Sequence, residues 1–282
     1  MKPSDLARLV ALAAIWGASF LFVRIAAPMI GPVLTADARL LIAGLALAAY
    51  FRVIGFDAEW RRWWPQYAIV GLINSAAPFL LFSYAALSLP AGLMSVINAS
   101  SPMWGALFAA WLLRERLSAR GIAGLAIGIA GVALVTRPAA GAALGVLPVL
   151  AATGAAVCYG LAGAYMRRWA KEVPSRGMAL GTQIAGGLLL APLLAIAPPT
   201  SMPTPLIAAC LLALGLVCGA IGYLLYFRLI TNIGVAGALT VTYLIPIFGV
   251  AWGAIFLGET LSLVMLAGAG LVLLGTFFVL RK

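Results

Sequence analysis

The chain has 282 residues, 65% of them apolar and 9% charged, with a mean hydropathy of +1.12; a soluble domain cannot cover its surface with so few charges, so that class is excluded. The net charge of +11 would suit nucleic acid if the basic residues formed one patch, but they fall between apolar runs, where they anchor a membrane protein and meet anionic head groups. There is no histidine, and Cys158, Cys210 and Cys218 lie inside apolar runs without metal-ligand spacing, so no disulfide framework, metal or other cofactor is expected.

The apolar runs are each about 20 residues long, the span of a hydrocarbon core, and predict an all-α protein of ten transmembrane helices. The first, near 7–27, follows Lys2 and Arg8 and carries Trp16 and Ser19; it resembles a signal peptide in outline but has a later counterpart, so it is read as retained. The second, near 33–54, has Asp37 and Arg39 at its outer end. Trp60, Trp63 and Trp64 beside Arg61 and Arg62 form an interfacial belt before the third, near 64–85, which contains Asn74, Ser75, Pro78, Phe79 and Phe82.

Almost no loop separates it from the fourth, near 89–112, with Met94, Asn98, Ser101, Pro102 and Trp104. The fifth, near 120–136, carries glycines at 121, 124, 128 and 131, a smooth strip for close helix packing. The remaining five lie near 146–167, 177–197, 204–228, 235–257 and 262–280; they hold Tyr159, Tyr223, Thr242, Tyr243 and Pro246, with Gly268 and Gly275 in the last.

An internal repeat appears at an offset of 144 residues: Pro102, Gly105, Glu115, Leu117, Ser118, Gly124, Gly131 and Arg137 recur as Pro246, Gly249, Glu259, Leu261, Ser262, Gly268, Gly275 and Arg281. The expected units are 1–138 and 139–282. Five crossings per copy is an odd number, so the second copy enters the membrane from the opposite side. Such inverted repeats are a transporter architecture with the solute site near mid-membrane.

With the N-terminus in the cytoplasm, fifteen basic residues fall on the cytoplasmic side and three, Arg24, Arg39 and Arg137, on the other, so both termini are expected to be cytoplasmic.

These features resemble the drug/metabolite transporter superfamily, in particular its ten-helix exporters built of two EamA-type repeats. The resemblance covers the whole chain and rests on Trp16-Gly17-Ala18-Ser19-Phe20, Arg39, Pro102, and Glu115 followed by Leu117 and Ser118. In the second copy it rests on Pro246, Gly258-Glu259-Thr260-Leu261 and the glycines of the tenth helix. It implies export of small metabolites, amino acids among them, across the cell membrane.

Proline inside a membrane helix frees the carbonyl four residues earlier. Pro78, Pro102 and Pro246 would free those of Asn74, Asn98 and Thr242, each beside a polar side chain at the same depth. A solute cavity and a packing kink with interhelical hydrogen bonds both fit this pattern; for Asn98 with Ser101 the cavity is favoured. Trp16, Phe79, Trp104, Tyr159, Tyr223 and Tyr243 could wall a pocket for an apolar or aromatic side chain, or pack as core. With Ser19, Asn74, Pro78, Phe82, Asn98, Ser101, Thr242 and Pro246 they form the candidate substrate-binding set. Glu115 and Glu259 are expected to cap the fifth and tenth helices.

No Asp or Glu is expected at mid-span, so facilitated efflux without a buried proton-relay carboxylate is the mechanism read from the residues. Hydrolysis within the membrane lacks its residues: there is no histidine for a Ser-His pair and no paired buried carboxylates. A sodium-coupled ten-helix carrier of the bile-acid type and a channel-like facilitator are the alternatives. The expected partners are a small-molecule solute and the lipid bilayer, with no nucleic acid; a monomer is compatible with the pattern.

Overall fold

The computed structural model describes residues 2–136 and 145–280, apart from the side chains of residues 235 and 236. Arg137, Arg281 and Lys282, used above for the repeat and the charge bias, lie outside the described residues. The described chain forms ten apolar helical segments: α1 (Pro3–Ile30), α2 (Pro32–Val53), α3 (Trp60–Ala85), a divided α4, α5 (Ala119–Val135), α6 (Val146–Trp169), α7 (Ser175–Ile196), α8 (Pro205–Gly234), α9 (Gly237–Leu257) and α10 (Leu263–Leu280). The halves of the fourth are α4a (Ala91–Asn98) and α4b (Ser101–Leu112).

Local chemistry sets the boundaries. Pro3, Pro32 and Pro205 stand in the first turn of α1, α2 and α8, where the missing N–H has no intrahelical partner to lose. Gly31, at φ 89°, separates α1 from α2 with a single residue that only glycine adopts without strain. Pro102 accompanies the break of α4, and the carbonyl of Asn98 accepts from Ser101 Oγ at 2.6 Å, so the freed acceptor is satisfied locally. The expected caps are corrected. Ser118 caps α5 through Gly121 N–H at 3.1 Å, and Ser262 accepts from Met265 N–H at 3.1 Å, whereas Glu115 pairs with Arg167 at the end of α6. Glu259 reaches the other copy and accepts from the Ala91 and Gly92 N–H groups at the start of α4a, at 2.6 and 2.9 Å.

The two five-helix repeats interlock rather than sit side by side. In one crossing α1 seats on α9, where a Cβ on Gly17 would lie 2.7 Å from Phe248 Cβ and 2.9 Å from Gly249 N. In the related crossing α6 seats on α4b, where a Cβ on Gly160 would lie 2.5 Å from Gly105 N. Helices α2 and α7 pair between the repeats, as do α5 and α10, which make the most extensive pairing. There the expected glycine strip brings backbones together: a Cβ on Gly275 would lie 2.5 Å from Gly124 O and 2.6 Å from Gly128 N.

Burial is unequal at the two ends. Every residue of Ala91–Ile97 in α4a is buried on the face opposite the N-terminus. At the repeat-related turn between α8 and α9, on the N-terminal face, Leu239 is 41% exposed and Thr240 is exposed. The bundle is thus closed around α4a and looser around the start of α9.

Candidate functional site

Two π-helical stretches face the centre, Leu72–Ala76 in α3 and Ala213–Ile221 in α8, and the repeat offset superposes them. A π turn widens the helix by one residue per turn and loosens its hydrogen-bond ladder, a distortion that recurs at functional sites. In α3 it takes up the irregularity that Pro78 introduces; in α8 Gly222 stands at the equivalent position, with no proline to announce it.

Trp16 of α1 bridges to the second stretch. Its indole N–H donates to the Cys218 carbonyl at 3.0 Å, and the Cys218 thiol returns a bond to the Ile15 carbonyl at 3.2 Å. The ring meets Tyr226 at 5.4 Å and, edge to face, Tyr223 at 6.2 Å between centroids. The Tyr223 hydroxyl faces the side chains of Gln183 in α7 and Asn74 in α3. Phe82 lies between Phe20, at 5.2 Å, and Tyr159 of α6, at 6.4 Å.

At the hub is Arg39 of α2. Its guanidinium lies 3.8 Å over the Phe79 ring and within electrostatic reach of Tyr159, Cys218 and Tyr223, while the residue keeps 9% of its surface accessible. Among the described residues the three ion pairs are Arg8–Asp5, Arg62–Glu59 and Arg167–Glu115; Arg39 has neither an ion pair nor a hydrogen bond. Ser75 Oγ, enclosed, also lacks a partner.

Of the candidate residues, the structure gathers Trp16, Asn74, Phe79, Phe82, Tyr159 and Tyr223 around this centre. Ser19 lies one turn from Trp16 and donates to its carbonyl at 2.6 Å, and Pro78 is buried just after the π turn. The others form a different layer. Trp104 donates to Ser100 Oγ at 3.2 Å and packs with Met103, Leu107, Leu125 and Ile129 beside α5. Asn98 Oδ1 is enclosed without a partner, Ser101 is committed to the Asn98 carbonyl, and Thr242 donates to the Leu239 carbonyl at 2.8 Å. Tyr243 turns to α10, 3.5 Å from the Thr276 carbonyl, and Pro246 is buried within α9.

Arg39 and Gln183 were missed as site residues. Arg39 belongs to the outer half of α2 by the charge pattern; the helix begins at Pro32, one residue from the expected start, and Arg39 stands seven residues inside it, ~10 Å along the axis, where packing buries it. Asp37 stands near the outer end of α2, as expected, but is 4% exposed with Oδ1 unpartnered, so the carboxylate there is buried.

The profile of the EamA-like transporter family matches this sequence twice, over residues 6–137 and 146–281. The chain belongs to that family. Among family members it is similar to the uncharacterized transporter YvbV of Bacillus subtilis (strain 168), with 29% identity over 93% of this chain and 86% of that protein. It is 27% identical to the "Probable terminal-alkyne amino-acid exporter" of Streptantibioticus cattleyicolor, over 95% of this chain and 90% of that one. With the "Probable amino-acid metabolite efflux pump" of Salmonella typhimurium (strain LT2) it shares 25% identity over 98% and 94%. One crystal structure, 21% identical, aligns with 99% of this chain and 97% of its own at a TM-score of 0.69, a likeness of fold. The EamA-like chain is therefore a multi-pass membrane protein of a transporter family, and its central group is where both repeats contribute side chains.

Proposed function

We propose that this protein exports small organic metabolites, amino acids with apolar or aromatic side chains foremost, by alternating access between repeats 1–138 and 139–282, with both termini cytoplasmic. The observation that carries the reading is the central group itself. Trp16, Phe79, Tyr159 and Tyr223 supply apolar walls, Asn74 and Gln183 supply amide donors and acceptors, and they come from helices of both repeats. The names of two relatives, a probable amino-acid exporter and a probable amino-acid metabolite efflux pump, support the same solute class. The excess of basic residues on one side supports the orientation.

The test is counterflow of radiolabelled amino acids in proteoliposomes without an imposed ion gradient. Saturable exchange is expected in the wild type and is expected to be lost in Trp16→Ala and Tyr223→Ala. No exchange by folded wild-type protein refutes the amino-acid reading; flux that never saturates favours a channel, and dependence on sodium favours a bile-acid-type carrier.

Buried Asp37 favours a second reading of the energetics, coupling to protons. Solute-driven pH change in sealed vesicles that disappears in Asp37→Asn selects it over uncoupled efflux.

A further inference from the structure

We infer that Arg39 is the anchor for a carboxylate on the transported solute, so that the site requires the acid group and tolerates loss of the amine. This rests on reading the central group as the solute site.

A guanidinium inside a membrane protein is costly to hold in the charged form, and Arg cannot shed its proton to escape the cost. Such residues pair with an anion, a carbonyl or a water-filled cavity. The groups around Arg39 are the Phe79 ring, two phenols and a thiol. Asp37, two residues away on the same helix, makes no ion pair with it, and the carboxylates of Asp5, Glu59 and Glu115 are paired with other arginines. The ring contact at 3.8 Å supplies part of the compensation. It covers one flat face of the guanidinium and leaves the in-plane N–H fork, the edge that matches a carboxylate with two parallel hydrogen bonds.

The surrounding groups extend the argument to the rest of the solute. Gln183 is 1% exposed, and together with Asn74 it faces the Tyr223 hydroxyl. These are neutral groups that hydrogen-bond a second polar function. None is anionic, so nothing in this group pairs an ammonium as strongly as Arg39 pairs an acid. The charge facing this group is the guanidinium of Arg39, which favours monocarboxylates and zwitterions and disfavours free amines. Trp16, Tyr223 and Tyr226 form the apolar wall beside this fork.

The experiment uses the purified full chain in detergent and measures ligand affinity from thermal stabilisation and tryptophan fluorescence. The probes are phenylalanine, N-acetylphenylalanine and 3-phenylpropionate, set against phenylalaninamide, phenethylamine and sodium chloride. The three acids are expected to bind and the amide and amine not to. Arg39→Gln is expected to weaken the acids on the order of 30-fold, the loss typical of truncating one partner of a buried charge pair. Arg39→Lys keeps the charge without the fork and should fall between them. Arg52→Gln, at an exposed position, is the control and should match the wild type. If Arg39→Gln does not fold, Phe79→Leu replaces it, removing the stacked ring while keeping the cation, and is expected to weaken acids several-fold.

Equal binding of phenylalanine and phenylalaninamide, chloride binding as tight as that of the acids, or no acid bound by the wild type each overturns the inference. The two readings separate cleanly. Arg39-dependent acid binding without counterflow leaves the anchor and removes the amino-acid exporter, whereas counterflow that survives Arg39→Gln removes the anchor and leaves the exporter.

Discussion

Removing the Glu259 carboxylate should release the start of α4a while leaving the rest of the bundle folded. Glu259 accepts from two successive N–H groups, at 2.6 and 2.9 Å, and Ala91, which owns the first, is fully buried. Hydrogen bonds to a charged acceptor contribute ~1.5–3 kcal/mol each, and buried donors left without an acceptor cost a similar amount. Since Glu259 is itself half-exposed, the lower end applies and the pair contributes about 3 kcal/mol. That corresponds to roughly a 100-fold shift between closed and open positions of α4a. Glu259→Gln retains a neutral acceptor and should cost about half as much, near tenfold. Hydrogen–deuterium exchange read by mass spectrometry on peptides covering residues 91–98 measures this directly, with α5 and α10 as internal references. Faster exchange confined to α4a, larger in Glu259→Ala than in Glu259→Gln, is expected. Unchanged exchange in α4a, or equal acceleration across all helices, would refute the reasoning: the first means the bonds do not hold the segment, the second that they hold the whole fold.

Three further outcomes follow from the packing. Gly275→Ala places a Cβ 2.5 Å from the Gly124 carbonyl oxygen and should destabilise by ~1–3 kcal/mol, measured by thermal unfolding in detergent, while Gly270→Ala, with open space around it, should not. Ser118→Ala removes the α5 cap and should cost ~1 kcal/mol in the same assay. Glu115→Ala breaks only an exposed ion pair with Arg167 and should change stability by less than ~1 kcal/mol.

Hydropathy made the ten helices legible because each apolar run must cross the bilayer, and the repeat made the pairing of halves legible because Pro, Glu, Ser and Gly matches do not arise from apolar composition alone. The break in α4 was readable from Pro102. The π stretch of α8 was not, since its sequence is a uniform apolar run and the distortion comes from tertiary packing against α1 and α2. Asn98 and Ser101 share one face of α4 in the sequence, but the rest of the segment is apolar, so its orientation is set by contact with Gly160 and with α5. Arg39 was hidden by its position near a helix end. A basic residue within two turns of that end reads as an interfacial anchor, and only the packing around it, the Phe79 ring at 3.8 Å foremost, shows that it is turned inward. The Glu259 cap was hidden for the opposite reason, its partners being 167 and 168 positions away.

A chain whose first helix is seated on its ninth cannot finish folding while it is being made. When α1 to α5 have entered the bilayer, the groove around Gly17 that receives α9 and the surface at Gly105 that receives α6 still face lipid or a chaperone, and they stay so until the second copy emerges. Insertion and assembly are therefore separated in time. A ribosome halted near residue 140 would leave a correctly threaded half with its contact surfaces unmatched, a substrate for membrane proteases rather than a small transporter.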